Sequence, residues 1–146
     1  MTAEGRRLMQ QLRLLESLEV AIGFQRGENV YEDSEADVVD IAAFNELGTS
    51  STPARPFMRQ SFENHEDQLK KACALVNEKI GSGETAENAL NVLGVFAKGL
   101  VQDEIVNGEF EPNAPSTIAK KNSDKPLIDT GFMRQSVNYV VRKKRG

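Results

Sequence analysis

His65 is the only histidine in the chain, and this limits the acid–base and metal chemistry that the sequence offers. It lies in the polar run 63–67, with no second histidine four residues away as zinc-protease helices require. The serines lack a G-x-S-x-G turn, and the glycine-rich run 81–85 lacks the Gly-Lys-Ser/Thr that cradles phosphates. We therefore expect a surface histidine on a helix, with no metal, no cofactor and no nucleotide site.

Asp129-Thr130-Gly131 follows two apolar residues and copies the local signature of retroviral-type aspartic proteases. In those enzymes two chains each contribute one Asp, and the pair shares a proton. Here only 15 residues follow Gly131, too few for a flap and a second half-barrel, and Phe132 replaces a small residue. A helix cap and turn before a last strand explains the same residues, since Asp and Thr both cap helix N-termini.

Cys73 is the single cysteine, which excludes an internal disulfide and a cysteine metal cluster. It fits the apolar stripe of its predicted helix, so we expect an inert core residue. No apolar run is long enough for a membrane span, and polar residues interrupt residues 8–15, which excludes a secretory signal. These features predict synthesis inside the cell.

The chain has 146 residues, 39% of them hydrophobic and 27% charged, which predicts one soluble domain with a core. We assign residues 1–146 to that domain, with 1–16 as an N-terminal helix or arm and 142–146 as a basic tail. The net charge of −4 is uneven, because no Lys or Arg lies between Arg26 and Arg55, where seven acidic residues fall.

The basic tail, which includes Arg142 and Lys143, stands against this acidic stretch. A solvated loop with a frayed tail and head-to-tail attraction between neighbouring copies both explain that asymmetry. The four basic residues could neutralise a few phosphates, but the chain has no recognition motif and no Trp, and its net charge is negative. Specific nucleic-acid binding is therefore not expected.

Hydrophobic spacing and breakers predict a small antiparallel β-sheet packed against two long antiparallel helices, an α+β fold with long loops that become ordered on assembly. Gly94 and Gly99 are costly inside a helix, so we expect another backbone to come close at both. The predicted helices are 4–16, 38–46, 56–80, 85–107, a short one at 116–121 within the loop 109–126, and one turn through 132–133. The predicted strands are 18–24, 29–32 and 136–141, the last pairing with the first.

Residues 42–62 join the β unit to the helices and organise the rest of the chain. Gly48 is placed to end a short helix. The run Pro53-Ala54-Arg55-Pro56-Phe57 is stiff and extended, because each proline fixes its own φ and restricts the preceding residue. Pro56 suits the first position of the next helix. The run is either a rigid linker or part of a family motif.

Four segments in this order resemble the neck and tail-completion proteins of long-tailed bacteriophages and prophages. Ala42–Thr49 matches A-x-x-N-E-[FL]-G-T, and Pro53–Arg59 matches P-A-R-P-F-[ML]-R. Asn113–Lys120 matches N-A-P-x-T-I-x-x-K, and Pro126–Ser136 matches P-L-[IV]-D-T-G-x-[ML]-x-x-S. The order and spacing agree over roughly residues 18–141. Four ordered segments are far more specific than any one of them.

This resemblance implies a structural virion protein, assembled in the host cytoplasm, that forms a ring of six to twelve copies at the head–tail junction. It would complete the tail, contact the head connector or adaptor and the tail-tube or tail-terminator proteins, and let DNA pass through its lumen without specific binding. It would catalyse no reaction. A tail terminator, a head-closure ring, a prophage-encoded soluble binding module and an enzyme remain alternatives.

Subunit contacts are the site that the resemblance implies. Phe57 is expected to anchor its helix in the core, and Arg55 either bridges to a carboxylate of its own or a neighbouring chain or is an exposed linker charge. The residues expected at subunit contacts are Arg55, Pro56, Phe57, Asp129, Arg134, Arg142 and Lys143.

Overall fold

The computed structural model describes residues 2–25, 37–51, 53–108 and 130–145. These residues form six helices and two strands. In chain order they are α1 Ala3–Ser17, β1 Leu18–Gly23, α2 Val38–Leu47, α3 Phe57–Asn64, α4 Glu66–Gly81, α5 Ala86–Asn107, α6 Thr130–Ser136 and β2 Asn138–Lys143. The chain divides into two compact units. The first unit comprises residues 1–22, 65–98 and 139–146, and the second comprises 23–64 and 99–138.

The fold is mostly helical and includes a two-stranded antiparallel sheet of β1 and β2, which agrees with the α+β class. The predicted strand 29–32, the short helix 116–121 and the loop 109–126 lie outside the described residues. β2 begins two residues later than predicted, because Ser136 and Val137 still bond into the last turn of α6. The Ser136 hydroxyl donates to the Phe132 carbonyl at 2.8 Å, and the Val137 N–H donates to the Met133 carbonyl at 3.2 Å.

The prediction of two long helices is not confirmed, because the first of them, 56–80, is interrupted at His65. α3 and α4 stand on either side, and His65 leaves helical geometry with φ −123° and ψ 26°. The two helices belong to different units: α3 buries Phe57 and Ser61 in the second, and α4 buries Val76 and Ile80 in the first. The break coincides with the change of unit along the sequence, but α5 passes from the first unit to the second without a break, so the change of unit does not by itself explain it.

In the first unit, α1 packs against α4 and fixes the turn between α4 and α5. The Arg7 guanidinium donates to the Ile80 carbonyl at 3.0 Å, near the C-terminus of α4. The Gln11 side-chain oxygen accepts the Ala86 N–H at 2.8 Å, at the N-terminus of α5. Both bonds satisfy backbone groups that helix ends leave without intrahelical partners. Arg7 and Gln11 lie one helical turn apart on α1, so one face of α1 bonds the end of α4 and the start of α5.

The apolar cluster of the first unit draws on every element around that turn. Its buried members are Leu18, Val76, Ile80, Ala86, Ala89 and Leu90, and partly buried residues of α1, β1, α5 and β2 pack against them. Across the sheet, the Arg142 guanidinium donates to the Glu19 carboxylate at 3.0 Å. The Lys144 N–H donates to the Ser17 carbonyl at 2.9 Å, which extends the antiparallel pairing beyond the strands.

In the second unit, α2 packs against α3 and α6. It begins at Asp37, whose carboxylate accepts the Val39 N–H at 3.1 Å, and it ends at Gly48 with φ 77°. That positive φ suits glycine, as the sequence predicts. The fully buried side chains of this unit include Val38, Phe57, Val101, Ile105, Met133 and Val137.

The sequence predicts that another backbone comes close to both glycines of α5, Gly94 and Gly99. The structure shows no such approach at either glycine among the described residues. A Cβ on Gly94 would lie 2.6 Å from Cε2 and 2.7 Å from Cγ of Tyr139, so a ring and not a backbone fills the space. The Tyr139 hydroxyl donates to the Asn91 side-chain oxygen at 3.1 Å, which fixes the ring along α5. A Cβ on Gly99 would have no atom of the described residues within 4 Å.

We expect Gly94→Ala and Gly99→Ala to change the free energy of unfolding in opposite directions. Gly99→Ala should stabilise by up to about 1 kcal/mol, the difference in helix propensity. Gly94→Ala should destabilise by about 1–2 kcal/mol, because displacing the Tyr139 ring outweighs the same gain in propensity. Urea unfolding followed by circular dichroism measures both. Equal stability of the two variants, or an unchanged penalty in a Tyr139→Ala background, would contradict the packing of the ring on Gly94.

Candidate functional site

The predicted contact residues Arg55, Pro56 and Phe57 lie in the second unit, where the chain between α2 and α3 is bonded back onto α2. The Arg55 N–H donates to the Asn45 carbonyl, and the Phe57 N–H donates to the Arg55 carbonyl at 2.8 Å. Extended backbone around two prolines has few local partners, so α2 supplies one. We call residues 45–59 the α2–α3 junction.

Asn45 is a buried polar residue, 2% exposed, at the centre of this junction. Its side-chain amide donates to the Ile41 carbonyl at 2.9 Å and to the Met133 sulfur of α6 at 3.6 Å. Buried amides are retained where their hydrogen bonds are made, because leaving one unmade costs about 1–3 kcal/mol. Asn45 therefore links three parts of the second unit: α2, the segment leading to α3, and α6.

Glu46 caps α3 from a distance in sequence. Its two carboxylate oxygens accept the N–H groups of Met58 at 2.9 Å and Arg59 at 3.0 Å, in the first turn of α3. Pro56 has no N–H to satisfy, so the carboxylate meets donors that the helix leaves open. A negative charge at a helix N-terminus is also favoured by the helix dipole. Sequence reasoning missed this role, although a carboxylate next to a helix end and before a proline-led helix was a usable signal.

Arg55 and Phe57 both lie in the interior of the second unit. Phe57 is 1% exposed and meets the Phe24 ring edge-on, with centroids 6.0 Å apart at 80°, which confirms the prediction of a core anchor. Arg55 is 3% exposed, so its interpretation as an exposed linker charge is wrong. A buried guanidinium needs hydrogen-bond acceptors around it, and burial therefore ties Arg55 to its surroundings. A bridge from Arg55 to a carboxylate stays a prediction.

The other predicted contact residues are spread over both units. Arg134 is exposed on α6, where its carbonyl accepts the Gln102 amide of α5 at 2.9 Å. It borders a polar cavity of about 430 Å³ between α5 and α6. Asp129 lies outside the described residues. In the first unit, Arg142 pairs with Glu19 on β1, and Lys143 is exposed at the end of β2. Their role as subunit contacts stays a prediction.

Two residues with possible chemistry differ from expectation. Cys73 is exposed, so its prediction as a core residue is wrong. It stands two turns before Ile80 on the same helical face, but burial on α4 starts only at Val76, because the apolar cluster reaches only the C-terminal half of the helix. His65 is half-buried at the break between α3 and α4 and is not on a helix surface.

A second candidate surface is an apolar groove of about 300 Å³ that α4 and α5 line in the first unit. The groove was not predicted from the sequence, because Leu75, Val92 and Phe96 lie beside, and not within, the series of buried residues on their helices. Large apolar residues outside that series were the available signal. Each is more than a third exposed.

Within the described ranges, no group of three or more His, Cys, Asp or Glu side chains is placed to hold a metal ion. The described helices include none that combines the length and apolarity of a membrane span. Comparisons of the chain with protein-family models, curated proteins and solved structures found no match.

Glu46→Gln should lower the free energy of unfolding by about 1–2 kcal/mol, because it removes the charge from the α3 cap and turns an NH₂ group toward a backbone N–H. The matched control is Glu63→Gln, which removes the same charge from α3. Glu63 pairs with Arg59 at 3.7 Å, and both side chains are about two-thirds exposed (64% and 66%). The control should therefore change stability by less than about 0.5 kcal/mol. Urea titration at neutral pH measures both variants, and equal losses would contradict the cap.

Proposed function

We propose that this chain is a structural protein of the head–tail junction in a long-tailed bacteriophage or prophage, where it forms a ring and acts by assembly. The ordered resemblance of four segments carries this proposal. Three of those segments converge on one residue of the second unit: Asn45 belongs to the first, bonds Arg55 of the second, and contacts Met133 of the fourth. Because Asn45 bonds residues of two other segments, a change in one segment would disturb the others. This gives a physical reason for the segments to occur together.

Assembly is the proposed mechanism, with folded units that present segments which become ordered on neighbours. The segments proposed to become ordered are residues 32–37, 48–55 and 109–126. In the segment 48–55 the N–H groups of both end residues, Gly48 and Arg55, are already bonded to α2, so ordering there concerns the residues between them. A small sheet covered by two long antiparallel helices remains the finer fold proposed for such a protein.

Charge supports free passage of DNA through the proposed ring. Each chain carries −4, so six to twelve copies carry 6 × 4 = 24 to 12 × 4 = 48 negative charges. A wall of that sign repels phosphates and leaves DNA free to move. Part of the basic C-terminal run is also neutralised within the chain, because Arg142 pairs with Glu19. The proposed partners are the head connector or adaptor and the tail-tube or tail-terminator proteins.

The decisive measurement is the position and copy number of the chain in purified particles, by cryo-electron microscopy of the neck and quantitative mass spectrometry. We expect a ring of six to twelve copies between the head connector and the tail tube. Deleting the gene should yield separate heads and tails, and a copy supplied in trans should restore joined particles. A ring at the upper end of the tail tube alone would assign a tail terminator.

Absence from particles, in a lysate where the chain is abundant, would overturn the virion proposal. A soluble binding module would then be the better assignment. A further control is the Glu63→Gln chain supplied in trans, which should restore joined particles as well as the unaltered chain does. That result would show that removal of the Glu63 charge alone does not prevent the joining of heads and tails.

A further inference from the structure

The groove between α4 and α5 has the composition of a protein docking site. Its walls are Ala72, Leu75 and Val76 from α4, with Val92, Leu93 and Phe96 from α5. Leu75 and Val92 are each 52% exposed and Phe96 is 39% exposed, so large apolar side chains border water along one face. Contiguous exposed apolar surface on a folded unit marks an interaction site more often than scattered single residues do.

The charged side chains at this groove have one sign. Lys71 and Lys79 line it, and among the described residues that line it there is no Asp or Glu. An apolar groove with basic residues suits an amphipathic helix whose apolar anchors are accompanied by carboxylates.

α2 of this same chain has that composition on its outer face. Phe44 is 49% exposed and Leu47 is 77% exposed, three residues apart and therefore adjacent on the helix surface. The opposite face packs into the second unit through Val38, Ala42 and Asn45. We call Phe44 and Leu47 the α2 ridge. A helix that is apolar on both faces is complete only when both are covered.

The charge of α2 is opposite to that of the groove. Asp40 precedes Phe44 by one helical turn and so lies on the ridge side of α2, which contains no Lys or Arg. The other two carboxylates serve within the unit, since Asp37 is buried at the N-cap and Glu46 caps α3. Pairing two grooves with each other would bring Lys71 and Lys79 of both copies to one interface, where like charges oppose association. Pairing groove with ridge brings opposite charges together. Charge therefore favours a contact between two different surfaces.

We propose that the α2 ridge of one copy inserts Phe44 and Leu47 into the α4–α5 groove of a second copy. Such a contact is heterologous: each copy offers a ridge to one neighbour and a groove to another, and repetition gives a closed ring or an open filament. The inference deepens the proposed function by naming the surfaces that join neighbouring copies. It rests on the proposed virion role only for the biological place of the assembly, because the contact between copies is argued from the two surfaces themselves.

Paired variants of the full chain test this directly. Leu47→Glu places a carboxylate on the ridge and Val92→Glu places one in the groove, and each would have to be desolvated in apolar surroundings. Both residues are at least half exposed, so the fold should tolerate the changes, which circular dichroism checks. Each variant alone should self-associate at least about thirty-fold more weakly than the unaltered chain, the effect of losing a hot-spot residue.

Mixing the two variants is the decisive step, measured by sedimentation over a concentration series. The Val92→Glu chain retains an intact ridge and the Leu47→Glu chain an intact groove, so a mixture should form a 1:1 dimer and nothing larger. The remaining ridge and groove both carry carboxylates and should not join. Val95→Glu is the matched control, since Val95 lies on the same helix, is 60% exposed and does not line the groove. It should associate like the unaltered chain.

A charge reversal tests the rim independently. Lys71→Glu combined with Lys79→Glu should weaken association about ten-fold or more, and added salt should weaken association of the unaltered chain. Lys70→Glu is the control, because Lys70 lies on the same helix, outside the groove lining, where it pairs with Glu66 at 3.1 Å. That control should leave the dissociation constant unchanged.

Several results would overturn the contact. If Leu47→Glu associates normally while Val92→Glu does not, the grooves pair with each other. If both variants associate normally, or the mixture yields no dimer, neither surface is used as proposed. An unaltered chain that stays monomeric up to roughly 1 mM would also overturn it. A dimer in the mixture with no chain in particles would refute only the virion role, and a neck ring without complementation would refute only this contact.

Discussion

The buried amide of Asn45 is the constraint on which the second unit depends. A buried amide is specific in a way that an apolar side chain is not, because its donors are satisfied only in one arrangement of neighbours. Here those neighbours are the Ile41 carbonyl and the Met133 sulfur, while the carbonyl of Asn45 itself accepts the Arg55 N–H. Three segments distant in sequence must therefore reach one point. Glu46 follows directly and caps α3, so two adjacent residues of α2 set both the entry and the first turn of the next helix.

In the first unit, side chains of α1 likewise bond the backbone at the ends of two other helices. Arg7 and Gln11 of α1 bond the two sides of the α4–α5 turn, and the apolar cluster gathers behind it. Because the cluster lies near the turn, burial on α4 begins only at Val76. Leu75 directly precedes Val76 but lies off the i, i+4 spacing of Val76 and Ile80, and it is 52% exposed. The groove lies on this outward side of α4 and α5, where no described residue of the unit covers it.

Hydrophobic spacing and chain breakers predicted the limits of several helices. The limits of α1, α2 and α5, the glycine that ends α2 and the core position of Phe57 followed from spacing and turn chemistry. The break at His65 did not, because the apolar spacing of residues 57–80 continues across it. The prediction that Cys73 is buried was also wrong. The apolar spacing of a helix shows which face a side chain lies on, but it does not show how far along the helix the core extends. The burial of Arg55 depends on residues brought near it by folding, which no local rule contains.

Polar contacts and apolar surfaces have separate roles in this chain. Partly buried hydrogen bonds of Asn45, Glu46, Arg7 and Gln11 position the helices. Some apolar residues of these helices therefore remain outside the two cores. Leu47 shows the result most clearly: it directly follows Glu46 in α2 and is 77% exposed. With the exposed Phe44 it forms an apolar pair, and contiguous apolar surface marks an interaction site more often than a single exposed leucine does. Asp40 lies one helical turn before Phe44, and a carboxylate beside the ridge disfavours acidic partners. In the proposed contact the same carboxylate would favour a groove bordered by lysines.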